Sequence, residues 1–278
     1  MSTETLSIPK AFVWRRLHSL MGLWIVLFLM EHLLTNSQAA LWLGDNGQGF
    51  VRMVNWLHNL PYLQVIEVTL LGVPILVHMV LGVKYLFTSK ANSSSSDGSK
   101  PSLKYSRNRA YTWQRITSWI LLVGLIGHVA KFRFIDFPET IKAENETFYY
   151  VTVSPDPGIQ SVAEKLEVLL IENGIPGLIK APPAGKITAI TPNFGTATLM
   201  TVRDTFKSPL YVFLYTIFVL AACFHACNGL WTFLITWGVI FKMTAQKAMV
   251  KFSYTLMAII AFLGLIAIWG TYWLNLKY

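Results

Sequence analysis

The chain has 278 residues, of which 54% are hydrophobic and only 13% charged, and its mean hydropathy is +0.48. Soluble domains carry about 25% charged residues, so this composition excludes an ordinary soluble domain and predicts a membrane protein. The net charge of +9 is then a topology signal rather than a nucleic-acid-binding surface. The two cysteines, Cys223 and Cys227, lie in one apolar segment and indicate no disulfide framework.

Five apolar segments are long enough to cross a bilayer, which takes about 20 mostly apolar residues. They lie at about residues 16–36, 62–88, 113–133, 209–241 and 252–275. We therefore predict an all-α membrane protein in which five transmembrane helices form a bundle, as a single domain over residues 1–278.

Lys and Arg residues are distributed asymmetrically among the connections. Lys10, Arg15 and Arg16 precede the first helix, and basic residues recur in the second and fourth connections, whereas the first connection has Arg52 alone. Because cytoplasmic loops carry the excess of Lys and Arg, we predict a cytoplasmic N-terminus and an extracytoplasmic C-terminus.

Two connections have distinctive composition or length. Residues 90–106 begin with the low-complexity stretch KANSSSSDGSK and predict a flexible cytoplasmic linker. Residues 134–208 are far longer than a hairpin loop and contain a strand-like FYYVTV and an amphipathic SVAEKLEVLLIEN. We expect this second stretch to be an external insertion that forms a small subdomain.

Four histidines lie at matched positions in the first four helices. His32, His78, His128 and His225 each follow the start of their own helix by about 16 residues, or ~24 Å along its axis. Because successive helices run in opposite directions, His32 and His128 are expected near the outer face, and His78 and His225 near the inner face. The two pairs would lie ~15–20 Å apart in depth, within a ~30 Å hydrocarbon core.

Paired imidazoles on facing helices are how a haem iron is held with both axial positions filled. A lone intramembrane histidine is equally well explained by packing or by a proton relay, but four at two matched depths favour two haem sites. Gly82 and Gly229, four residues after their histidines, would let a flat macrocycle approach. Without a CxxCH motif the haem is expected to be non-covalent, b-type haem.

Other uses of these side chains are less well supported. In CFHAC, His225 lies between two cysteines and on the opposite side of the helix, so one ion cannot bind all three. His18 is a rival ligand, but using it would put three histidines in the inner layer and one in the outer. We expect His18 to contact haem propionates or a partner subunit, and His58, in a predicted outer loop, to be structural.

Several motifs carry a family resemblance that covers all five helices. They are RRLHSLMG, EHLLTN, VHMVLG, WQRITSWILLVGLIGHV and, most specifically, FHACNGLWTFLITWG. They closely resemble the di-haem cytochrome b subunit of succinate:menaquinone oxidoreductases. That subunit is the single-chain, five-helix anchor of bacterial succinate dehydrogenase, and it is related to the anchor of di-haem fumarate reductases.

The resemblance implies two b-type haems in a bacterial inner membrane. His78 and His225 would ligate the proximal haem, facing the cytoplasmic subunits, and His32 and His128 the distal haem. Ser19, Arg15 and Trp113 match the region where the family binds propionates. The implied partners are a flavoprotein that oxidises succinate with FAD and an iron–sulfur protein that passes electrons to the proximal haem. The chain would then be a subunit of an enzyme, respiratory complex II, without its succinate site.

The substrate expected in the membrane is a quinone, menaquinone by the resemblance. Its pocket needs polar groups at membrane depth. Glu67 is the first candidate, three turns before His78 and on the same helix face, and Glu31 and Lys131 are the others. A capped structural carboxylate explains Glu67 equally well. The long third connection departs from the family, in which it is usually short, and would lie over the distal haem.

Two other functions compete with the succinate dehydrogenase anchor. One is the cytochrome b of a fumarate reductase or of another quinone-linked dehydrogenase, which would have the same fold and haems. The other is a transporter that uses histidines for protons or metal. No pair of helices shows matched Gly/Pro interruptions, which argues against the transporter.

Overall fold

The computed structural model describes residues 8–40, 47–88, 106–143 and 146–277. Most of this described chain is helical, and five of its helices are long and apolar enough to cross a membrane. We name them spans I to V: Lys10–Ala40, Leu63–Thr88, Arg107–Ile135, Pro209–Thr236 and Met243–Leu276. The prediction of five long apolar helices is thereby confirmed, which supports a multi-pass membrane protein. The predicted linker at 90–106 lies outside the described residues, except that Ser106 begins the helix of span III.

The spans contain short departures from the α-helix. Span I is α-helical over Lys10–Ser37 and ends in a 3₁₀ turn, Gln38–Ala40. Spans II, III and V each contain a π-helical segment between or after α-helical parts. Their parts are Leu63–Ile66, Glu67–Gly72 (π) and Val73–Thr88 in span II; Ser106–Val129 and Ala130–Ile135 (π) in span III; and Met243–Leu265, Ile266–Gly270 (π) and Thr271–Lys277 in span V.

Pro74 lies two residues after the π-helical turn of span II. Pro74 has no backbone N–H, so the carbonyl of Leu70, four residues earlier, loses its intrahelical donor. The indole N–H of Trp24 in span I donates to that carbonyl instead. A side chain of another span thus satisfies a carbonyl that would otherwise lack a donor at membrane depth.

The end of span IV differs from the sequence-based expectation, which placed it at residue 241. The helix ends at Thr236 because Gly238 adopts φ +72°, a left-handed conformation that glycine tolerates. The N–H of Gly238 donates to the Ile235 carbonyl (3.1 Å) and that of Val239 to the Leu234 carbonyl (2.9 Å). This pair of bonds is a Schellman cap. Span V in turn begins at Met243 rather than at 252.

The connection between spans III and IV contains a four-stranded antiparallel sheet, so the all-α prediction is incomplete there. Its order is β1-β2-β4-β3. The strands are β1 (Glu139–Ala143), β2 (Glu146–Val153), β3 (Leu169–Ile171) and β4 (Ile187–Thr191). The aromatic and β-branched residues of β2 suit a pleated, half-buried strand, and Tyr150 pairs with Ile190 of β4.

Three short helices accompany the sheet: α1 (Gln48–His58), α2 (Ile159–Lys165) and α3 (Phe194–Thr205). Helix α3 contacts β2, β4 and α1, and its Met200 is 1% exposed. His58 packs among rings here, stacked on Phe194 at 3.8 Å between centroids and edge-on to Tyr149 at 5.6 Å. These contacts fit the structural role expected of His58.

A buried cluster of charges fixes α3 to the end of β2. Arg203 Nη2 lies 2.9 Å from Asp156 Oδ1, and Lys207 Nζ lies 2.9 Å from Asp156 Oδ2 and 3.2 Å from Asp204 Oδ1. The side chains of Arg203 and Asp156 are 6% and 7% exposed. Burial alone would raise the pKa of Asp156, but the hydrogen bond from Lys207 and the nearby cations more than offset it, so this pKa is lowered. Asp156 is therefore held as a carboxylate.

The chain divides into two compact units. Unit 1 comprises the described residues up to Met30, Gln64–Leu122 and Ala221–Ile259, and unit 2 comprises those of Glu31–Leu63, Val123–Leu220 and the chain from Ile260 onward. His18, His78 and His225 belong to unit 1, and His32, His58 and His128 to unit 2. Each unit is described below by itself.

Candidate functional site

In unit 1, span II and span IV bring His78 and His225 together. Their ring centroids lie 6.3 Å apart with an interplanar angle of 81°. Two imidazoles bound to opposite sides of one metal, with metal–nitrogen bonds of about 2 Å, would have their ring centres about 6 Å apart. This pair therefore has the spacing that a bis-histidine haem requires.

In unit 2, span I and span III bring His32 and His128 together in the same way. Their ring centroids lie 5.8 Å apart with an interplanar angle of 86°. The two pairs are those that the helix positions and the family resemblance predict. Across the described residues no group of three or more His, Cys, Asp or Glu side chains is arranged to hold a metal ion.

The hydrogen bonds in unit 1 determine which nitrogen of each ring is left for a metal. His78 Nδ1 donates to the His18 carbonyl at 2.9 Å. His225 Nδ1 lies 3.3 Å from Thr117 Oγ1, and the Thr117 hydroxyl donates to the Trp113 carbonyl at 2.7 Å. Because that hydroxyl proton is already used, Nδ1–H of His225 is the donor in this pair. Both rings thus have Nε2 unprotonated, as the ligands of a metal do when a second shell holds Nδ1.

In unit 2, the group beside Nδ1 is a proton acceptor for one of the two histidine rings and a donor for the other. His128 Nδ1 lies 3.3 Å from the Tyr215 hydroxyl, which can accept its proton. Nδ1 of His32, however, faces the Asn36 amide nitrogen at 3.4 Å, and the same nitrogen donates to the His32 carbonyl at 2.8 Å. An amide nitrogen is a donor, so His32 Nδ1 accepts here. Binding iron through Nε2 would require Nδ1 to carry the proton and Asn36 to turn.

Small residues allow the close approach around the unit 1 pair. A Cβ built on Gly22 would lie 2.8 Å from His78 Cε1, closer than real side chains allow. Glycine is therefore required where span I passes the His78 ring. A Cβ at Gly82 would lie 3.6 Å from His18 Nε2, and one at Gly229 would lie 4.0 Å from Gln114 Nε2. The role of these two glycines beside a macrocycle stays a prediction.

A polar network beside His225 was not predicted from the sequence. Asn228 Nδ2 donates to Gln114 Oε1 at 2.7 Å, and Gln114 Nε2 donates to the His225 carbonyl at 3.2 Å. Trp231 Nε1 donates to Asn228 Oδ1 at 2.9 Å. The spacing of these residues could have indicated the network. Gln114 and Thr117 lie three residues apart in span III, and His225 and Asn228 lie three residues apart in span IV. Polar residues that recur on one face of an apolar helix indicate contacts between helices.

The residues expected near propionates lie in unit 1. Ser19 Oγ donates to the Arg16 carbonyl at 3.0 Å and accepts from Trp237 Nε1 at 2.9 Å. The side chain of Trp113 is 54% exposed and that of Arg15 is also exposed. Arg16, rather than Arg15, makes the described contacts, with the Thr236 carbonyl and over the Trp237 ring at 5.2 Å. A role for Ser19, Arg15 and Trp113 toward a cofactor stays a prediction.

The three candidate quinone residues have different surroundings. Glu67 is half-buried and begins the π-helical turn of span II in unit 1. Glu31 Oε1 accepts from Thr35 Oγ1 at 2.7 Å in unit 2. Lys131, also in unit 2, is paired with Asp136 and lies 4.6 Å from the centre of the Tyr211 ring.

A cavity of about 590 Å³ lies in unit 2 between the sheet, α3 and the facing ends of spans III and IV. Lys131, Asp136 and Tyr211 line it on the side of the spans, and Tyr150 and Lys186 line it on the side of the sheet. Burial and the Glu139 carboxylate raise the pKa of Tyr150 to about 12, so its phenol stays protonated. The volume is in the range of small-molecule sites.

Comparison with known proteins gives one relative over almost the whole chain. The chain is 24% identical, over 262 residues, to the "Succinate dehydrogenase cytochrome b558 subunit" of Bacillus subtilis (strain 168), a match that covers 94% of this chain and 97% of the relative. No protein-family model matches the chain, and no solved structure matches it significantly. With its five candidate membrane helices, the chain is a distant full-length homologue of that cytochrome b558 subunit.

Proposed function

We propose that this chain is the membrane-anchor cytochrome b subunit of a succinate dehydrogenase and that it binds two b-type haems. The observation that carries the proposal is the spacing of the two histidine pairs, 6.3 Å for His78–His225 and 5.8 Å for His32–His128. The full-length relative, whose name contains both succinate dehydrogenase and cytochrome b558, supports it.

Each pair would hold the iron of one haem b. Held in this way, the haem would supply one-electron transfer. The protein's part is to hold the rings: the His18 carbonyl and Thr117 fix the Nδ1 protons of His78 and His225, and Tyr215 lies beside Nδ1 of His128. Such second-shell contacts orient the ligand rings.

The proposed partners are those implied by a succinate dehydrogenase anchor. A flavoprotein with FAD would oxidise succinate, and an iron–sulfur protein would pass electrons to the His78–His225 haem. We place the N-terminus in the cytoplasm, because Lys and Arg cluster before span I and between spans II and III. The sheet-containing connection would then be extracytoplasmic. The succinate site would lie on another subunit.

Quinone reduction needs two protons as well as two electrons, so its site needs groups that exchange protons. Glu67, Glu31 and Lys131 are the proposed groups, and the expected quinone is menaquinone. The unit 2 cavity favours Lys131, because this side chain and its partner Asp136 both line it. Electrons from succinate would leave the complex as quinol at such a site.

The decisive experiment is a dithionite-reduced minus oxidised spectrum of the purified full chain, with pyridine haemochrome quantitation per polypeptide. We expect two b-type haems. One haem would point to loss at the His32–His128 pair, where the hydrogen bonds fit less fully. A folded preparation without haem would overturn the proposal. Turnover of succinate against fumarate by the assembled complex would then separate a dehydrogenase from a fumarate reductase, which would have the same haems.

A further inference from the structure

Helix α1 of unit 2 has large side chains on two opposite faces. One face packs on α3: Phe50 and Val51 are buried, and a Cβ built on Gly195 would lie only 2.5 Å from the Val51 carbonyl oxygen. The Gly195 N–H also donates to Asn55 Oδ1 at 2.7 Å. At about 100° of rotation per residue, Trp56 falls on the side of the helix opposite to Phe50 and Val51. This second face is directed away from α3.

The face of α1 directed away from α3 is apolar at its centre and polar at its border. Trp56 is 61% exposed, and Met53, one turn earlier, is exposed as well. The exposed residues Arg52 and Asn59 border them. We call Met53 and Trp56 the Trp56 face. Tryptophan combines a large apolar ring with one polar N–H, which suits a boundary between an apolar medium and water.

Tyr62, between α1 and span II, has an uncommon backbone conformation. Its φ is +58°, in the left-handed region that bulky residues rarely adopt. Such a conformation is destabilising, so it persists where other contacts compensate for it. The Tyr62 side chain is 83% exposed, so packing within the described protein compensates little. A medium outside the protein is expected to contact this ring.

Contacts within unit 2 place α1 at the level where membrane spans end. Helix α1 contacts the turn Gln38–Ala40, which ends span I. The same turn contacts the last parts of span V, Ile266–Gly270 and Thr271–Lys277, where Trp273 is exposed. At the other end of α1, only residues 59–62 separate the helix from the first residue of span II. The surface of α1 is therefore continuous with the surface that the spans present to lipid.

The size of the exposed surface favours lipid over a protein partner. An aromatic side chain contributes about 150–250 Å², whereas a stable protein interface buries about 800 Å² on each partner. Two aromatic rings and one methionine are too few for such an interface. They are enough for a helix that lies in the plane of the membrane boundary, where the apolar face enters the bilayer by about 5–10 Å.

We propose that α1 is an interfacial helix: the Trp56 face and Tyr62 insert into the lipid headgroup region of the bilayer and hold the sheet-containing connection at the membrane surface through α3. The inference requires that the spans cross a membrane, but it requires no haem. It assigns to the first connection the role of fixing the depth of the third.

Photo-crosslinking in native membranes tests the proposal on the full chain. The photoreactive residue p-benzoylphenylalanine replaces Trp56, and mass spectrometry identifies what is attached to it after illumination. Two matched controls have nearly the same exposure as Trp56 at 61%: Val65 of span II and Leu169 of the edge strand β3, both 59% exposed. Tyr62, replaced in a separate variant, is the second test position. Haem content of the same preparations shows whether each variant is folded.

We expect phospholipid adducts at Trp56 and Tyr62 in a yield comparable to that at Val65, and loss of these adducts at Leu169. If the variant at Trp56 does not accumulate in the membrane, the variant at Tyr62 decides. Adducts with a second copy of this chain or with another protein, in place of lipid, would overturn the proposal. Equal lipid yields at Trp56 and Leu169 would also overturn it, because exposure alone would then explain the adduct.

The controls separate this inference from the proposed function. Absence of a lipid adduct at Val65 would contradict the membrane assignment of span II and the role of α1 with it. Lipid adducts at the expected positions in a chain that binds no haem would support α1 as an interfacial helix and contradict only the cytochrome.

Discussion

Thr117 determines which nitrogen of His225 is available to a metal. Its hydroxyl proton goes to the Trp113 carbonyl, so its oxygen accepts Nδ1–H of His225. Thr117→Val removes this acceptor at nearly constant volume. Loss of such a second-shell partner typically lowers metal affinity about 10–100-fold. We therefore expect weaker retention of one haem, measured by transfer to excess apomyoglobin, with the second haem unaffected.

A matched control lies in the same span. Thr112 also donates its hydroxyl to a backbone carbonyl four residues earlier, that of Asn108, at 2.9 Å. Thr112→Val therefore makes the same chemical change to the helix. Equal rates of haem loss in the two valine variants would show that Thr117 acts only within its own helix.

Glu67 is the residue on which the quinone hypothesis can be tested most directly. Glu67→Gln keeps the shape of the side chain and removes its ability to exchange a proton. We expect quinone reduction by the assembled complex to fall by at least about tenfold, since proton transfer by a positioned side chain contributes roughly 10²–10⁴-fold. Both haem spectra should stay intact. Glu172→Gln, an exposed glutamate in the connection, is the control, and wild-type turnover in Glu67→Gln would remove Glu67 from the quinone site.

The sequence predicted which histidines meet but not what surrounds them. Helix starts and a constant rise per residue place His78 level with His225, and the structure brings these rings together. The partners of their Nδ1 atoms depend on how each helix is rotated about its axis and on how closely neighbouring helices approach. Neither quantity is encoded in the pattern of any one span, so the contact between Thr117 and His225 emerged only from the packed structure.

At the scale of elements, Trp24 and Pro74 form a compensating pair across spans I and II. Trp24→Phe should leave the Leu70 carbonyl without a donor and destabilise the protein by about 1–3 kcal/mol. Pro74→Ala restores a backbone N–H at residue 74, which can donate to that carbonyl. Trp24→Phe should therefore cost much less stability in a Pro74→Ala background. Thermal unfolding of the wild type, the two single variants and the double variant measures the coupling between the two residues. Strictly additive losses of stability would contradict the proposed compensation.

The buried charge cluster makes the connection sensitive to acid. The lowered pKa of Asp156 means that the folded protein keeps this carboxylate ionised at pH values where the unfolded chain, with a pKa near 4, takes up a proton. Its stabilisation is therefore complete above about pH 4 and is lost as the pH falls through the folded-state pKa. Asp156→Asn should destabilise the connection at pH 7 by about 3–5 kcal/mol, because Arg203 loses its buried partner.

Unfolding of the sheet, followed by circular dichroism at pH 7 and at pH 3, checks this. The wild type should lose stability between the two values, and Asp156→Asn should lose less, since it lacks the titrating group. Glu164→Gln, an exposed change on α2, should behave as the wild type. An equal loss in Asp156→Asn would assign the acid sensitivity to other carboxyl groups.

A helix or a strand could be predicted from the sequence where its hydropathy or β-propensity pattern lies within the segment itself. The five apolar spans and the FYYVTV strand could be predicted because hydropathy and β-propensity are properties of the segments themselves. The end of span IV at Thr236 depends on one glycine, Gly238, within a stretch that is still apolar. The short strands β1 and β3 exist through pairing with β2 and β4, and such long-range pairing leaves little trace in five residues or fewer.

At the scale of the whole molecule, the proposed function depends on which side of the membrane each connection faces. The distribution of Lys and Arg predicts that the linker between spans IV and V is cytoplasmic and that the sheet-containing connection is extracytoplasmic. Lys180 is an exposed lysine in the sheet-containing connection, and Lys247 is an exposed lysine near the start of span V, next to the linker. Replacing either by cysteine makes the same chemical change, and both native cysteines are buried. A membrane-impermeant maleimide can therefore report each position separately.

We expect the Lys180→Cys variant to react in intact spheroplasts and the Lys247→Cys variant to react only after the membrane is permeabilised. This pattern would place the ends of spans II and IV nearest to His78 and His225 on the cytoplasmic side, where the proposed iron–sulfur subunit would deliver electrons. The reverse pattern would contradict the proposed orientation and with it the role of the His78–His225 pair as the first to receive electrons. Because haem content is measured independently, either labelling result leaves the cytochrome assignment intact and determines only the direction in which electrons cross the membrane.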